Sequence, residues 1–311
     1  MLPFKLIYCE NYDLHLGDHV FPSSKYRLIH QKLLSEGFAD EQDFLTPEPA
    51  RDEDVLLVHD QEWVRKLRGG LLSYTDILRL EIPYSHEMVD AVWLSAGGSI
   101  LAARQALRDG GAMNIGGGFH HAFPDHGEGF CAVHDVAVAI RRLQADGAIR
   151  RALVVDCDVH HGNGTAHIFS GDDSVFTVSL HQLNNYPSSK PPSDLDVDLN
   201  DGVGDNEYLA YLGNALDVAF QTANGQSFDL LCYVGGADPY SQDQLGGLAL
   251  TMDGLKRRDR MVFDAARRHS VPVMVTLAGG YAHDVGDTVQ IHANTAHALA
   301  ESFCAAGRLS T

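Results

Sequence analysis

A chain of 311 residues, 45% apolar and 21% charged, is neither disordered, collagenous nor a disulfide-stapled miniprotein, and is long enough to bury one large core. Its 23 Lys and Arg against 42 Asp and Glu leave a formal charge of −19. That is the wrong sign for a nucleic-acid binder that tracks phosphates; it suits a cationic substrate or a plain solvated surface.

Five cysteines, Cys9, Cys131, Cys157, Cys232 and Cys304, contain no CxxC pair, which favours free thiols in a reducing compartment. The opening MLPFKLIYCENYD breaks a short apolar run with Lys5 and Glu10, unlike a signal peptide. No apolar stretch reaches the roughly 18 residues of a membrane span. The expectation is a cytoplasmic enzyme with no nucleic-acid or membrane partner; no motif specifies an oligomeric state.

Along the chain, short apolar runs alternate with longer segments of helical period. Residues 4–8 read as a first strand. In residues 87–107, Val89, Val92, Trp93, Ala96, Ile100 and Ala103 recur at helical spacing around an internal Gly97-Gly98. Residues 112–115 form a strand that runs into Gly116-Gly117-Gly118, residues 134–143 a helix, and residues 151–155 (RALVV) a strand before Asp-Cys-Asp. A strand over 175–180 follows, then a helix over 205–222 with Tyr208, Leu209, Leu212, Leu216 and Ala219 on one face.

Residues 230–234 (LLCYV) make a strand that runs into Gly235-Gly236-Ala237-Asp238. A charged amphipathic helix over 251–268, a strand over 271–277 and a closing helix over 288–303 complete the pattern. Residues 183–204, with Pro187, Pro191 and Pro192, are the longest irregular segment, and such loops are often functional. No linker or repeat divides the pattern. Residues 1–311 therefore read as one α/β domain, a three-layer sandwich with a mostly parallel central sheet and helices on both faces.

Polar, metal-competent residues follow four of these strands: GGGFHH at 116–121, DCDVHHGNG at 156–164, GGAD at 235–238 and AGGY at 278–281. In open parallel sheets ligands bind at the carboxyl ends of strands. Asp158 and His160, two apart in an extended segment, face one side, with Asp156 two residues earlier. Asp238 completes an Asp-His-Asp set with an open position, the catalytic zinc pattern; its two oxygens also suit Fe²⁺. Taken alone, each Asp also reads as a turn former or helix cap.

His120 and His121 read as surface residues, ligands or acid–base groups, and the glycines before them favour a close backbone approach. Tyr281, after two glycines, can donate to a developing oxyanion or simply fill the core. Cys157, between the two aspartates, should face away from them, so a cysteine nucleophile is the weaker reading.

The set GGGFHHAFPDHGEGFC, VVDCDVHHGNG, VSLH, GGADPY…DQLGGLALT and AGGY resembles the histone deacetylase family, which includes acetoin-utilisation and acetylpolyamine deacetylase proteins. The likeness runs from DHVFPSSKYRLI to AGGYAHDVGDTVQIHA and is greatest to the class IV-type branch and its bacterial relatives, through DHVFPSSKYRL, GGFHH, HGNG and PSDLDVDLNDGVGDNEYL. It implies an arginase-like fold and metal-assisted hydrolysis of N-acyl-lysine.

Carried over by position, Asp158, His160 and Asp238 would bind Zn²⁺. His120 and His121 would be the paired catalytic histidines, with His121 as the proton shuttle, and Tyr281 the oxyanion donor. Asp156 would hold His120, and Asn163 would stand behind His121 where many relatives carry Asp. Asp156, Asp158, His160, Ser179 and Leu180 would form a structural K⁺ site. Gly129, Phe130, Tyr186, Gly279 and Gly280 would line the acyl-lysine channel. His161 and His134 stand where relatives often carry Gln and Asn.

Acetylated polyamines are an alternative substrate class, and the resemblance extends to enzymes that remove long acyl groups. An arginase-type ureohydrolase with two Mn²⁺ shares the fold, but would need a further bridging carboxylate where His160-His161-Gly162 stand. A silent acyl-lysine binder would usually have lost a ligand, a histidine or the tyrosine, and none is missing.

Overall fold

The apolar runs form eight short strands. In the computed structural model, which describes residues 1–222 and 227–306, these are β1 (Lys5–Ile7), β2 (Phe44–Leu45), β3 (Gly111–Asn114), β4 (Ala152–Asp156), β5 (Val175–Gln182), β6 (Leu195–Leu199), β7 (Leu230–Gly235) and β8 (Val273–Leu277). They hydrogen-bond in the order β2-β1-β3-β8-β7-β4-β5-β6, and every pairing is parallel. The last strand in the chain, β8, therefore lies in the middle of the sheet, between β3 and β7.

Every residue of β3, β4, β7 and β8 is buried. Strands covered by helices on both faces are expected to be continuously apolar, and VMV in β8 and LVV in β4 are. The helix His86–Asp109 packs on β1, β3 and β8 and against Asp135–Ala145. A second group packs elsewhere: Asp205–Thr222 on β5 and β6, Met252–Arg268 on β7, and Val285–Ala306 on Met252–Arg268 with Lys25–Ser35 beside it.

Local signals set the helix ends. Ser85 Oγ accepts from the Met88 amide, and the chain leaves that helix through Gly110 in the left-handed region. His134 caps Asp135–Ala145: its Nδ1 accepts from the Ala137 amide at 3.2 Å while Nε2 meets Thr165 Oγ1 at 2.8 Å. An Asn side chain could cap the same turn.

Three readings need correction. Residues 183–204 are not irregular throughout, because Leu195–Leu199 forms the edge strand β6. Its pattern LDVDL alternates exposed Asp with half-buried Leu195 and Val197 and buried Leu199, so that no continuous apolar run marks it. Between residues 24 and 81 no element was expected, yet Lys25–Ser35, Asp52–Val55, Gln61–Gly69 and Tyr74–Leu80 are helical. These are short and rich in charge; Gln61–Gly69 buries only Trp63, Val64 and Leu67. The closing helix begins at Val285, three residues before its expected start.

Candidate active site

The four motif-bearing loops leave four strands that are neighbours in the sheet, β3, β8, β7 and β4. Their side chains therefore meet at one carboxyl rim. His160 Nδ1 is 3.0 Å from Asp158 Oδ1 and 3.2 Å from Asp238 Oδ2, and all three residues are buried. These groups can hold a metal ion.

Backbone amides hold the carboxylates. Gly279 N donates to Asp158 Oδ2 at 2.7 Å, and Val159 N donates to Asp238 Oδ1 at 2.9 Å. Asp238 Oδ2 accepts no hydrogen bond. Burial and the neighbouring Asp158 push the Asp238 carboxyl up to about 7. An orphaned anionic oxygen beside a second carboxylate and an imidazole fits a divalent cation. Gly279 is required here: a Cβ would lie 1.8 Å from Asp238 Oδ2.

Asp156, expected on the same face, does not join this trio. β4 ends at Asp156 and the chain bends, so Asp156 Oδ1 accepts from the Asp158 amide while Oδ2 lies 2.7 Å from His120 Nδ1. Burial alone would lower the His120 imidazole, but Asp156 and Asp158 outweigh it and raise it to about 9.

The His121 ring lies 4.0 Å from that of His120, tilted by 48°, and its Nδ1 lies 2.7 Å from Asn163 Oδ1. Asn163 Nδ2 donates to Glu128 Oε1 at 2.5 Å. Glu128 is ionised: burial opposes this, but the nearby His126 and the hydrogen bond from Asn163 hold it below its ordinary value. An acceptor-only carboxylate fixes the amide so that its oxygen faces His121. The His121 Nδ1 therefore carries the proton, and Nε2 keeps its lone pair. Burial, reinforced by the charges of His120 and His160, holds this imidazole well below its ordinary value.

Tyr281 closes the floor, its ring 6.4 Å from that of His160. Burial raises its phenol well above the usual range, so it stays protonated. Its amide donates to Asp243 Oδ2 at 2.6 Å, and Lys25 Nζ donates to the Ala278 carbonyl at 2.6 Å. Burial brings Lys25 down to about 8 although Asp238, Asp158 and Asp243 favour its charge. Lys25, Asp243 and Glu128 all lie inside the motifs quoted above, yet spacing alone gave them no role.

A cavity of 180 Å³ opens above these groups, lined by His121, Gly129, Phe130, His160, Tyr186 and Tyr281 with Glu81, Asn185 and Leu245. Tyr186 stands edge-on to His121 at 5.0 Å. Gly129 has φ 53°, and a Cβ there would come within 2.8 Å of both His121 and Tyr186. Gly279 and Gly280 do not line the cavity: Gly279 backs the carboxylates, and Gly280 packs towards Thr288 and Ala237. A larger cavity of 340 Å³ lies at the amino end of β8, between Leu107, Phe263 and Phe303. It is apolar and contains none of the chemistry-bearing residues.

At the expected K⁺ site, Asp156 and Ser179 pair in register between β4 and β5, with Leu180 next along the strand. Cys157 is fully buried, and burial pushes its thiol up to about 12; Cys131 is raised well above its ordinary value for the same reason. Neither suits a nucleophile. Cys9, Cys131, Cys157 and Cys232 are free thiols, and the Cys304 side chain lies outside the described part.

Residues 19–296 match the model of the histone deacetylase domain. The chain belongs to the histone deacetylase family. As a member it is a deacetylase, a hydrolase acting on amide bonds, in a family that is generally metal-dependent. It is 38% identical to an uncharacterized protein of Picosynechococcus sp. over 93% of this chain and 96% of that one. It is 32% identical to histone deacetylase 2 of Arabidopsis thaliana over 89% of this chain and 74% of the relative. Among solved structures, the HD domain of HDA15 superposes with a TM-score of 0.78 at 26% identity, covering 96% of this chain and 90% of that one. The all-parallel sheet with its helices is thus the arginase/deacetylase-like α/β fold of this family. Among the described residues no helix is long and apolar enough to cross a membrane.

Proposed function

We propose that this histone deacetylase-family chain is a cytoplasmic, single-domain deacylase that hydrolyses the amide of N-acyl-lysine, acetyl or longer, with Zn²⁺ held by Asp158, His160 and Asp238. The observation that carries this reading is the orphaned Asp238 Oδ2, turned to a buried imidazole and a second carboxylate beneath a narrow cavity. Fe²⁺ suits the same oxygen-rich set. Asp156, Asp158, His160, Ser179 and Leu180 are proposed to hold a structural K⁺ behind it.

When bound, a divalent ion at this place polarises the acyl carbonyl and makes a water acidic. The protein does the rest. Gly129, Phe130 and Tyr186 form walls that admit a slender acyl-lysine chain. His121 Nε2, neutral and aimed by Asn163 and Glu128, takes the proton of the attacking water. The Tyr281 phenol donates to the oxygen on which negative charge develops. His120, paired with Asp156, keeps a positive charge beside that oxygen. His121 then returns its proton to the departing lysine amine.

Acetylated polyamines are the second reading, favoured by Glu81 in the cavity lining and by the charge of −19. A two-manganese ureohydrolase is disfavoured, since His160-His161-Gly162 stand where a further carboxylate would be needed. A silent binder would have no use for the protonated Tyr281 or the aimed His121.

The test is a Zn²⁺-loaded assay on acyl-lysine peptides of increasing chain length, with acetylated polyamines alongside. Turnover should vanish on chelation and return with Zn²⁺. Turnover that survives chelation, or hydrolysis of none of these amides, would overturn the reading.

A further inference from the structure

A second group of donor atoms gathers at the edge of the sheet, away from the cavity. β5 and β6 pair so that Ser179 lies beside Asp196 and His181 beside Asp198. Residues two apart in a strand share a face, so these four side chains form one block. His161, from the loop after β4, packs against it, its ring 4.5 Å from that of His181 and nearly perpendicular. His161 Nε2 lies 3.2 Å from Asp196 Oδ1, and His181 Nε2 lies 3.1 Å from Asp198 Oδ1. His161, His181 and Asp196 each offer a ligand atom within 4.8 Å of the others.

Neither approach is a hydrogen bond. His161 is 0% exposed and both its ring nitrogens lack a partner; the Nε2 of His181, 1% exposed, lacks one too. Buried nitrogens are rarely left unmatched. The other donor atoms are already committed. Ser179 Oγ meets His181 Nδ1 at 3.0 Å, which fixes the ring and turns Nε2 towards the carboxylates. Ser193 N donates to Asp196 Oδ2 at 3.0 Å, leaving Oδ1 for the histidine side. Donors at about 2.1 Å from a tetrahedral ion stand about 3.4 Å apart, close to the 3.2 Å between His161 and Asp196.

We propose that His161, His181 and Asp196 form a second metal site for a divalent ion of the zinc class, with its remaining position open to solvent. Two imidazoles with carboxylate oxygens suit Zn²⁺ and its first-row neighbours, whereas Mg²⁺ and Ca²⁺ prefer oxygen alone. The side chains of Asp196 and Asp198 are 27% and 54% exposed, which gives an ion a way in. Lys190, the neighbouring cation, is tied to the carbonyls of Asn185 and Pro187 at 2.7 Å. An ion here would pin the edge strand β6 to the loop that carries His160, a structural role distinct from hydrolysis.

The proposal is tested by counting zinc in full-length protein after equilibration with Zn²⁺ and removal of free ion. Two ions per chain are expected in the wild type, and one each in Asp196→Ala and in Asp238→Asn. Calorimetric titration of Asp238→Asn with Zn²⁺ should show one remaining site. Adding His181→Gln or Asp196→Ala should weaken it by more than the roughly 100-fold that outer partners cost. Asp196 lies on the exposed edge, so its variant decides the matter even if His181→Gln fails to fold. A single ion in the wild type that Asp196→Ala leaves in place overturns the second site. A count that Asp238→Asn leaves unchanged, but Asp196→Ala lowers, instead overturns the active-site assignment and keeps this one.

Discussion

His120 and His121 are adjacent, both buried, and each has its Nδ1 2.7 Å from a side-chain oxygen. Yet one is raised to about 9 and the other held well below its ordinary value. The partner makes the difference. Asp156 brings a full negative charge that outweighs burial, whereas the Asn163 amide brings only a dipole. In the proposed mechanism two identical side chains thereby divide the labour: a fixed cation and a proton acceptor.

The contrast can be broken in five places. The largest effect is expected from the acceptor and the phenol: His121→Ala should lower kcat by about 10²–10⁴, and Tyr281→Phe by about 10²–10³. Both should keep a native circular dichroism spectrum; near-normal turnover in either would remove its assigned role. Asp156→Asn leaves the ring held but removes the counter-charge. It should cost about 10–100-fold in kcat, and the His120 imidazole, followed by NMR in metal-free protein, should titrate well below 9. An unchanged titration would mean that Asp158 alone sets it.

Asn163→Asp works in the opposite sense. A carboxylate stabilises the imidazolium, so the pKa of His121 rises and the base is lost to protonation at higher pH. The acid limb of the kcat/KM profile should move to higher pH; a limb that stays put would assign the base elsewhere. The smallest effect is expected from Glu128→Gln. The new amide can donate as well as accept, which frees Asn163 to turn over, and kcat should fall by about tenfold. Retained activity with an intact Asn163 orientation would show that the tautomer is held without Glu128.

Most of the sheet was legible because its central strands are buried on both faces and so announce themselves as apolar runs. The site residues were legible because Asp, His and Tyr stood directly after such runs. The edge was not: LDVDL advertises its charged face, and its pairing depends on β5 rather than on its own composition. Glu128, Asp243 and Lys25 stayed silent for another reason. Each acts through a contact far along the chain, with Lys25 reaching Ala278 across 253 positions. Periodicity is a local signal and carries no record of such a reach. His161 is similar, since its significance lies in β6, a strand whose alternating charge conceals it.

The placement of β8 governs how the molecule must come together. Until residues 273–277 are in place, the chain can form at best two separate half-sheets, β2-β1-β3 and β7-β4-β5-β6, each ending in an open hydrogen-bonding edge. Such edges invite association between chains, and closure by a late, distant segment is intrinsically slow. A nascent polypeptide is therefore sticky and inert together, and one insertion event, zipping the gap between the halves, ends both conditions at once.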